Sequence, residues 1–237
     1  MNLLAIDTSG PSAGVAILRN DMLAYEAIAV NRMTHSVNLL PMVEEALTHA
    51  ALDISEIDLF AAVTGPGSFT GVRLGVSTIK GMAHGAGKNC MGVDALEALA
   101  CGVSFAGESE ILCPIQDARV GQVYGAAFAP GAEPLRLLPD TAAALPEYLD
   151  TVCTLAAGRR LLFVGDGVVP CQSKIVERLG EQAVFAPLPL NALRPAAVAF
   201  LALRHAVEAA SPIELKPLYL RAPQAERERA RKLGGQP

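Results

Sequence analysis

The sequence contains no tryptophan, and aromatic residues make up only 5% of its 237 positions. A nucleic-acid platform built on base stacking has too little aromatic surface to work with here. Positive charge is also short: 19 Lys and Arg against 24 Asp and Glu give a net charge of −5. The chain as a whole therefore lacks the field that drives independent binding to phosphate backbones. Charged residues are 18% against 51% hydrophobic, a balance that excludes a solvated coil and requires a packed core. No apolar run reaches the roughly 20 residues that a spanning helix needs; the stretch from Ala196 to Leu203 stops at Arg204 and His205. The opening Met1-Asn2-Leu3-Leu4-Ala5-Ile6-Asp7 has neither a basic segment nor a long apolar one, so a cytoplasmic protein with no membrane partner is expected. Five cysteines, at 90, 101, 113, 153 and 171, are odd in number and form no Cys-x-x-Cys. They fit neither a disulfide framework nor a zinc site. His35, His49, His84 and His205 form no His-x-x-x-His, so no metal is expected.

What is present alternates between strand and helix signals. Short apolar runs at Leu3 to Asp7, Val15 to Leu18 and Leu23 to Val30 are separated by turn-rich segments and predict an antiparallel start. From Ser36, the positions Val37, Leu40, Val43, Leu47 and Ala50 keep a helical period; Pro41 predicts a kink or a later start near Leu40. A strand at Leu59 to Val63 runs into the glycine-rich Thr64 to Gly71. A helix follows, with an apolar stripe of Val72, Val76, Ile79 and Ala83 beside a stripe of Gly71, Gly75, Thr78 and Met82. Cys90 to Val93 reads as a strand, and Asp94-x-x-Glu97 has the form of a capping box opening a helix. The second half opens with a hairpin of Ile111 to Gln116 and Val120 to Phe128. It continues with a helix near Thr141 to Asp150, a strand at Arg160 to Val164, a helix at Pro170 to Leu179 and a long helix after Pro195. Such alternation implies an α/β fold, and two hairpin openings suggest a duplicated one. The expected division is a first lobe of residues 1–105, a second of 106–220 whose final helix returns to the first, and a polar tail of 221–237 with an Arg-rich stretch.

The motifs exclude more chemistry than they assign. The Gly65 to Gly71 loop has five residues between its outer glycines and Val72 where a Walker loop needs lysine. It also puts Thr70 where a dinucleotide fingerprint needs its third glycine. A strand-to-helix glycine loop still suits an anion, but a tight turn accounts for its composition equally well. Neither Ser68 nor Ser77 lies in a nucleophile elbow. Asp7, at a strand end before Thr8 and Ser9, could orient hydroxyl groups or metal-bound water, or simply form an Asx turn. Asp117-Ala118-Arg119 divides in the same way between a ligand site and a local ion pair. By themselves the residues describe an α/β protein with one candidate anion loop and no assembled catalytic site.

Several strings taken together resemble one family: Ile6-Asp7-Thr8-Ser9, His35-Ser36 with Leu40-Pro41, Gly65-Pro66-Gly67-Ser68-Phe69-Thr70-Gly71-Val72-Arg73-Leu74-Gly75, Asp117-Ala118-Arg119 with Val123-Tyr124, Gly165-Asp166-Gly167 and Pro217-Leu218-Tyr219-Leu220-Arg221. This order is similar to that of the bacterial TsaB (YeaZ) family. The resemblance implies an actin-like, Hsp70-like ATPase fold of two duplicated lobes. It also implies a non-catalytic partner of the paralogue TsaD in making N6-threonylcarbamoyladenosine at position 37 of tRNAs that read codons beginning with A. TsaD carries a metal-binding His-x-x-x-His, and Ala95 and Leu99 occupy the corresponding places here. The implied partners are TsaD, the small ATPase TsaE, a second copy when the chain is alone, and tRNA only through the complex. The interface expected from the resemblance comprises Leu39, Met42, Val43, Gly71, Gly75, Thr78 and Met82. No intrinsic cofactor is expected, although ATP or ADP could sit at the junction with the partner. Candidate nucleotide or anion residues are Asp7, Thr8, Ser9, Gly65, Gly67, Ser68, Thr70, Gly71 and Arg73. The alternatives are an autonomous nucleotide hydrolase of the same fold and a glycoprotease-like peptidase.

Overall fold

The computed structural model describes residues 1–30, 34–105, 107, 110–131 and 133–221; the polar tail from 222 lies outside them. The first sheet comprises β1 (Leu3–Asp7), β2 (Ala13–Arg19), β3 (Met22–Ala29), β4 (Leu59–Gly65) and β5 (Asn89–Asp94), in the order β3-β2-β1-β4-β5. Its helices are α1 (His35–Ala50), α2 (Phe69–Ala86) and α3 (Ala95–Cys101). The second sheet comprises β6 (Glu110–Asp117), β7 (Gln122–Ala129), β8 (Leu135–Ala144), β9 (Arg160–Val164) and β10 (Ala183–Phe185), in the order β10-β9-β6-β7-β8, with α4 (Leu145–Ala156), α5 (Val168–Leu179) and α6 (Pro195–Arg204). In each sheet the first three strands pair antiparallel, and the fourth and fifth join them in parallel. The chain thus repeats one βββαβαβα plan, the duplicated actin-like architecture.

Period-2 alternation on apolar strands explains why both faces of each sheet are covered. Leu3 and Ala5 of β1 point into a central core, while Leu4 and Ile6 point to an outer core under α1 and α2. In β9, Leu162 and Val164 face the same central core, and Leu161 and Phe163 face α4 and α5. The third helices cross over: α3 lies against β6 and β7, α6 against β1 and β2, and the two touch each other. Glu26 of β3 holds α6 in place by pairing with Arg194 and accepting the Ala196 N–H at 3.0 Å. A carboxylate at a helix N-terminus is favourable for both charge and hydrogen bonding.

Two local expectations are corrected, and of the two readings of Pro41 the early helix start holds while the start near Leu40 does not. α1 runs unbroken from His35 with Pro41 inside it. Pro41 offers no N–H to the Val37 carbonyl, but both residues lie on the exposed face, where water can take the acceptor. Residues 141–144 extend β8 rather than opening a helix; pairing with β7 overrides an alanine-rich composition. The capping box at Asp94 is half made: Asp94 accepts from the Glu97 N–H at 2.8 Å, but the Glu97 carboxylate turns to Arg136 of β8.

Candidate functional site

The chain reverses direction at the same end of both sheets, and the turns there enclose a cleft of about 820 Å³. Ser9, Gly10 and Pro11 after β1, Pro66 to Thr70 after β4, and His35 line it from the first lobe. Gln116 to Arg119, Tyr124, Asp166 and Pro170 line it from the second, and Leu218 to Arg221 run along its mouth. Both turns follow short strands that end in Asp, at Asp7 and Asp117. The duplication therefore brings two acids, with Asp166 as a third, to one place.

Asp7 is buried; its Oδ1 accepts the Ser9 N–H at 2.8 Å, whereas Oδ2 has no partner among the described residues. Burial pushes its carboxyl up to about 6, with Ser9 and His35 pulling the other way. Asp166 is also raised to about 6, chiefly by burial, with Asp117 and Asp7 adding repulsion against the pull of the Asp117 N–H. Ser9 Oγ and Gln116 Oε1 are buried without partners as well. The His35 ring sits 3.0 Å from the Gly10 carbonyl, Nε2 to O. The floor is therefore rich in acceptors and negative at neutral pH. It suits a ligand that brings hydrogen-bond donors or a cation.

Of the nine candidate cleft residues, Ser9, Gly67, Ser68 and Thr70 line the cavity; Asp7 lies buried directly behind Ser9. The other four are not among its lining residues. Thr8 donates from Oγ1 to the Gly71 carbonyl at 2.7 Å and joins β1 to α2. Gly71 is packed so closely that a Cβ would fall 1.9 Å from the Thr8 carbonyl oxygen. Gly65, at φ +132°, has the Leu218 carbonyl oxygen where its Cβ would go. Arg73 is not among the lining residues but packs behind two of them, lying 3.9 Å over the Phe69 ring and donating Nε–H to the Tyr219 hydroxyl at 2.8 Å. The loop is also less free to hold an anion than its glycines suggest. The Ser68 N–H donates to the Ser9 carbonyl at 2.7 Å, and Ser68 Oγ caps the Gly71 N–H. The glycines serve mainly close approach, Gly67 sitting at φ +154° with Ser9 at its back.

His35, Gln116, Tyr124, Asp166 and Tyr219 are the cleft residues that local sequence analysis does not select. Asp117 and Arg119 form the local contact that was one of their two readings: the Arg119 N–H donates to Asp117 Oδ1 at 2.8 Å, and the side chains pair at 3.4 Å. Only the parallel between Ile6-Asp7-Thr8-Ser9 and Ile115-Gln116-Asp117-Ala118, both at strand ends of duplicated hairpins, could have singled out Gln116. Ala95 and Leu99 are buried in the central core. Among the described residues, no group of three His, Cys, Asp or Glu could hold a metal ion.

The residues of the expected partner interface differ in exposure. Leu39, Met42 and Val43 are core residues under the first sheet, Leu39 being only 1% exposed, and Gly71 and Gly75 are buried against β1. Thr78 and Met82 are half-buried. The outward positions of the same two helices include Val37 and Leu40, each 53% exposed, and Gly81, around which there is open space. No described helix is long and apolar enough to cross a membrane.

A family model described as TsaD, tRNA N6-adenosine threonylcarbamoyltransferase, matches residues 29–211. The chain is 33% identical over 228 residues to the Bacillus subtilis tRNA threonylcarbamoyladenosine biosynthesis protein TsaB, covering 95% of this chain and 96% of that one. It is 38% identical over 129 residues to the Escherichia coli protein of the same name, covering 54% and 55% of the two chains. The crystal structure of YeaZ from Pseudomonas aeruginosa superposes with a TM-score of 0.74 at 26% identity, covering 92% of this chain and 99% of that one.

Proposed function

The chain belongs to the TsaB family of tRNA threonylcarbamoyladenosine biosynthesis proteins, and from that premise we propose that it acts there as a non-catalytic subunit that activates a TsaD paralogue. The observation that supports this reading is the burial of Ala95 and Leu99, the two positions that the sequence resemblance aligns with the paralogue's metal-binding histidines. Apolar side chains packed in a core supply neither a ligand nor a proton. We read the chain as cytoplasmic and as two lobes, 1–105 and 106–220. TsaE and tRNA would be engaged through the complex, and ATP or ADP through the junction with the partner.

The partner surface in this reading is the outward side of α1 and α2, comprising Val37, Leu40, Thr78, Gly81 and Met82. Gly81 provides the clean test because its side chain position is empty. Gly81→Arg removes a helix-interior glycine and should leave the melting temperature unchanged or raise it, since glycine costs a helix about 0.5–1 kcal/mol. It should weaken co-purification with TsaD by about tenfold, the loss expected when one central contact of an interface is blocked. Unchanged association would exclude this face.

The function itself is tested by omission. Unmodified tRNA, threonylcarbamoyl-adenylate, ATP, TsaD and TsaE are combined with and without this chain, and this chain is also tried without TsaD. Modified adenosine should require both TsaD and this chain. Product formed without TsaD would mean that the chain carries catalytic residues of its own. One observation favours that second reading, an autonomous nucleotide hydrolase: Asp7 and Asp166, from different lobes, both have carboxyl pKa values raised to about 6 beside one cleft. Hydrolysis of ATP by the isolated chain, lost in Asp7→Asn, is its test.

A further inference from the structure

Away from the cleft, the seam between the two halves of the chain brings three carboxyl groups to one guanidinium. Asp94, at the end of β5, and Glu97 of α3 come from the first half. Arg136 and Asp140 come from β8, four residues apart and so on one face of the strand. Arg136 reaches all three acids. Its Nη1 donates to Asp140 Oδ1, and its Nη2 lies 3.3 Å from Asp94 Oδ1 and 3.4 Å from Glu97 Oε2. The Phe128 ring of β7 packs on the guanidinium, 4.6 Å from its central carbon.

Charge does not balance in this cluster. With every acid ionised, one cation would face three anions on side chains that are at most 32% exposed. A second unpaired negative charge taken out of water is costly, and a retained proton removes it. The two least exposed acids, Asp140 at 10% and Asp94 at 16%, hydrogen-bond to each other. Two carboxylates offer only acceptors, so that bond needs a proton on one of them. Asp94 has use for its charge as the cap of α3, where Oδ1 accepts the Glu97 N–H at 2.8 Å. The proton therefore belongs mainly to Asp140, whose carboxyl is pushed up to about 8, first by burial and then by Asp94, with Arg136 pulling the other way. Among the described residues, the charged groups of the cluster are Asp94 of β5, Glu97 of α3 and Arg136 of β8 itself, and β7 contributes the uncharged Phe128 ring.

We propose that Asp94 and Asp140 share one proton at neutral pH and so form a proton-held joint between the first turn of α3 and β8, which alkaline solution loosens locally. Loss of the proton leaves two carboxylates facing each other with a single guanidinium for three acids. The central core beneath is apolar and does not titrate, so the halves stay packed and the change is confined to the α3 cap and β8. In the folded chain Asp140 keeps its proton up to about pH 8, whereas the ordinary group loses it near 3.8. Stability therefore falls as pH rises through that window and levels off above it.

Infrared spectroscopy of the full chain at pH 7.5 tests the shared proton. Asp7 and Asp166, at about 6, are ionised by then. The parent should show a protonated-carboxyl band that is lost in Asp140→Asn and lost equally in Asp94→Asn, where the new amide donates to the remaining carboxylate. Absence of the band in the parent overturns the proposal. A band that survives in Asp94→Asn also overturns it, because burial alone would then protonate Asp140. Urea unfolding between pH 6.5 and 9.5 reads the joint. The folding constant of Asp140→Asn relative to the parent should rise about tenfold per pH unit up to about pH 8 and then stay level; a ratio that does not change with pH overturns the joint. Amide exchange at pH 9 reads the loosening. Peptides covering residues 94–101 and 135–144 should exchange about tenfold faster in the parent than in Asp140→Asn, while those of β1 and β9 match. Equal exchange of all four in the two proteins overturns the local loosening.

Discussion

Gly71→Ala should lower the melting temperature by about 10 °C, the loss expected for roughly 3 kcal/mol in a chain of this size. The added Cβ would lie 1.9 Å from the Thr8 carbonyl oxygen, a backbone atom of the buried turn that directly follows β1. That oxygen cannot turn away as a side chain would. Relief requires α2 to move off β1, which stretches the bond from Thr8 Oγ1 to the Gly71 carbonyl and opens the packing of Val72 and Val76. Alanine's better helix propensity recovers only about 1 kcal/mol. At Gly75 a Cβ would lie 2.7 Å from the Thr8 hydroxyl, a side-chain atom, so Gly75→Ala should cost less. Thermal and urea unfolding of both variants checks the order; a shift under about 2 °C for Gly71→Ala would mean that the helix seat is far softer than its geometry.

Asp7→Asn should stabilise the protein at pH 7.5 and change little at pH 3.5. The native carboxyl titrates at about 6, against 3.8 for the ordinary group. Between those values the folded state binds the proton that the unfolded state has lost, so stability falls as pH rises through that window and levels off above it. At about 1.36 kcal/mol per pKa unit, the cost at neutral pH is on the order of 3 kcal/mol. Asparagine keeps an acceptor for the Ser9 N–H and carries no charge to bury. Denaturation of parent and variant from pH 3.5 to 7.5 should give curves that diverge between about pH 4 and 6. Parallel curves would mean that Asp7 is charged at little cost, satisfied by a group that the cleft takes up. A stabilising effect would identify Asp7 as a carboxylate held against stability, the usual mark of a side chain placed for a ligand.

Most of the first lobe was legible because its signals are local. Strand alternation at Leu3 to Ile6, the apolar stripe of Val72, Val76 and Ile79, and the Asp94 cap each follow from spacing within a few residues. The strand at 135–144 was not, because alanine-rich Thr141 to Ala144 carries no strand preference of its own and takes its conformation from β7. Which face of α2 lies against the sheet was not legible for a related reason. A helix wheel separates two faces but cannot say which of them a sheet will cover. The stripe of Gly71 and Gly75 proved to be the seat of α2 on β1, and the open position is Gly81.

The sequence by itself determined that the chain folds as α/β, that each half opens with a hairpin, and, through its motifs, the family to which it belongs. These are properties of periodicity and of short strings, which need no knowledge of what lies opposite. Only the tertiary structure decided that Asp7, Gln116 and Asp166 share one cleft, that Thr8 and Gly71 are a joint rather than a site, and that Tyr219 meets Arg73 from more than a hundred positions away. Those juxtapositions arise from packing two sheets with exchanged third helices, and they are set by contacts that no local pattern encodes.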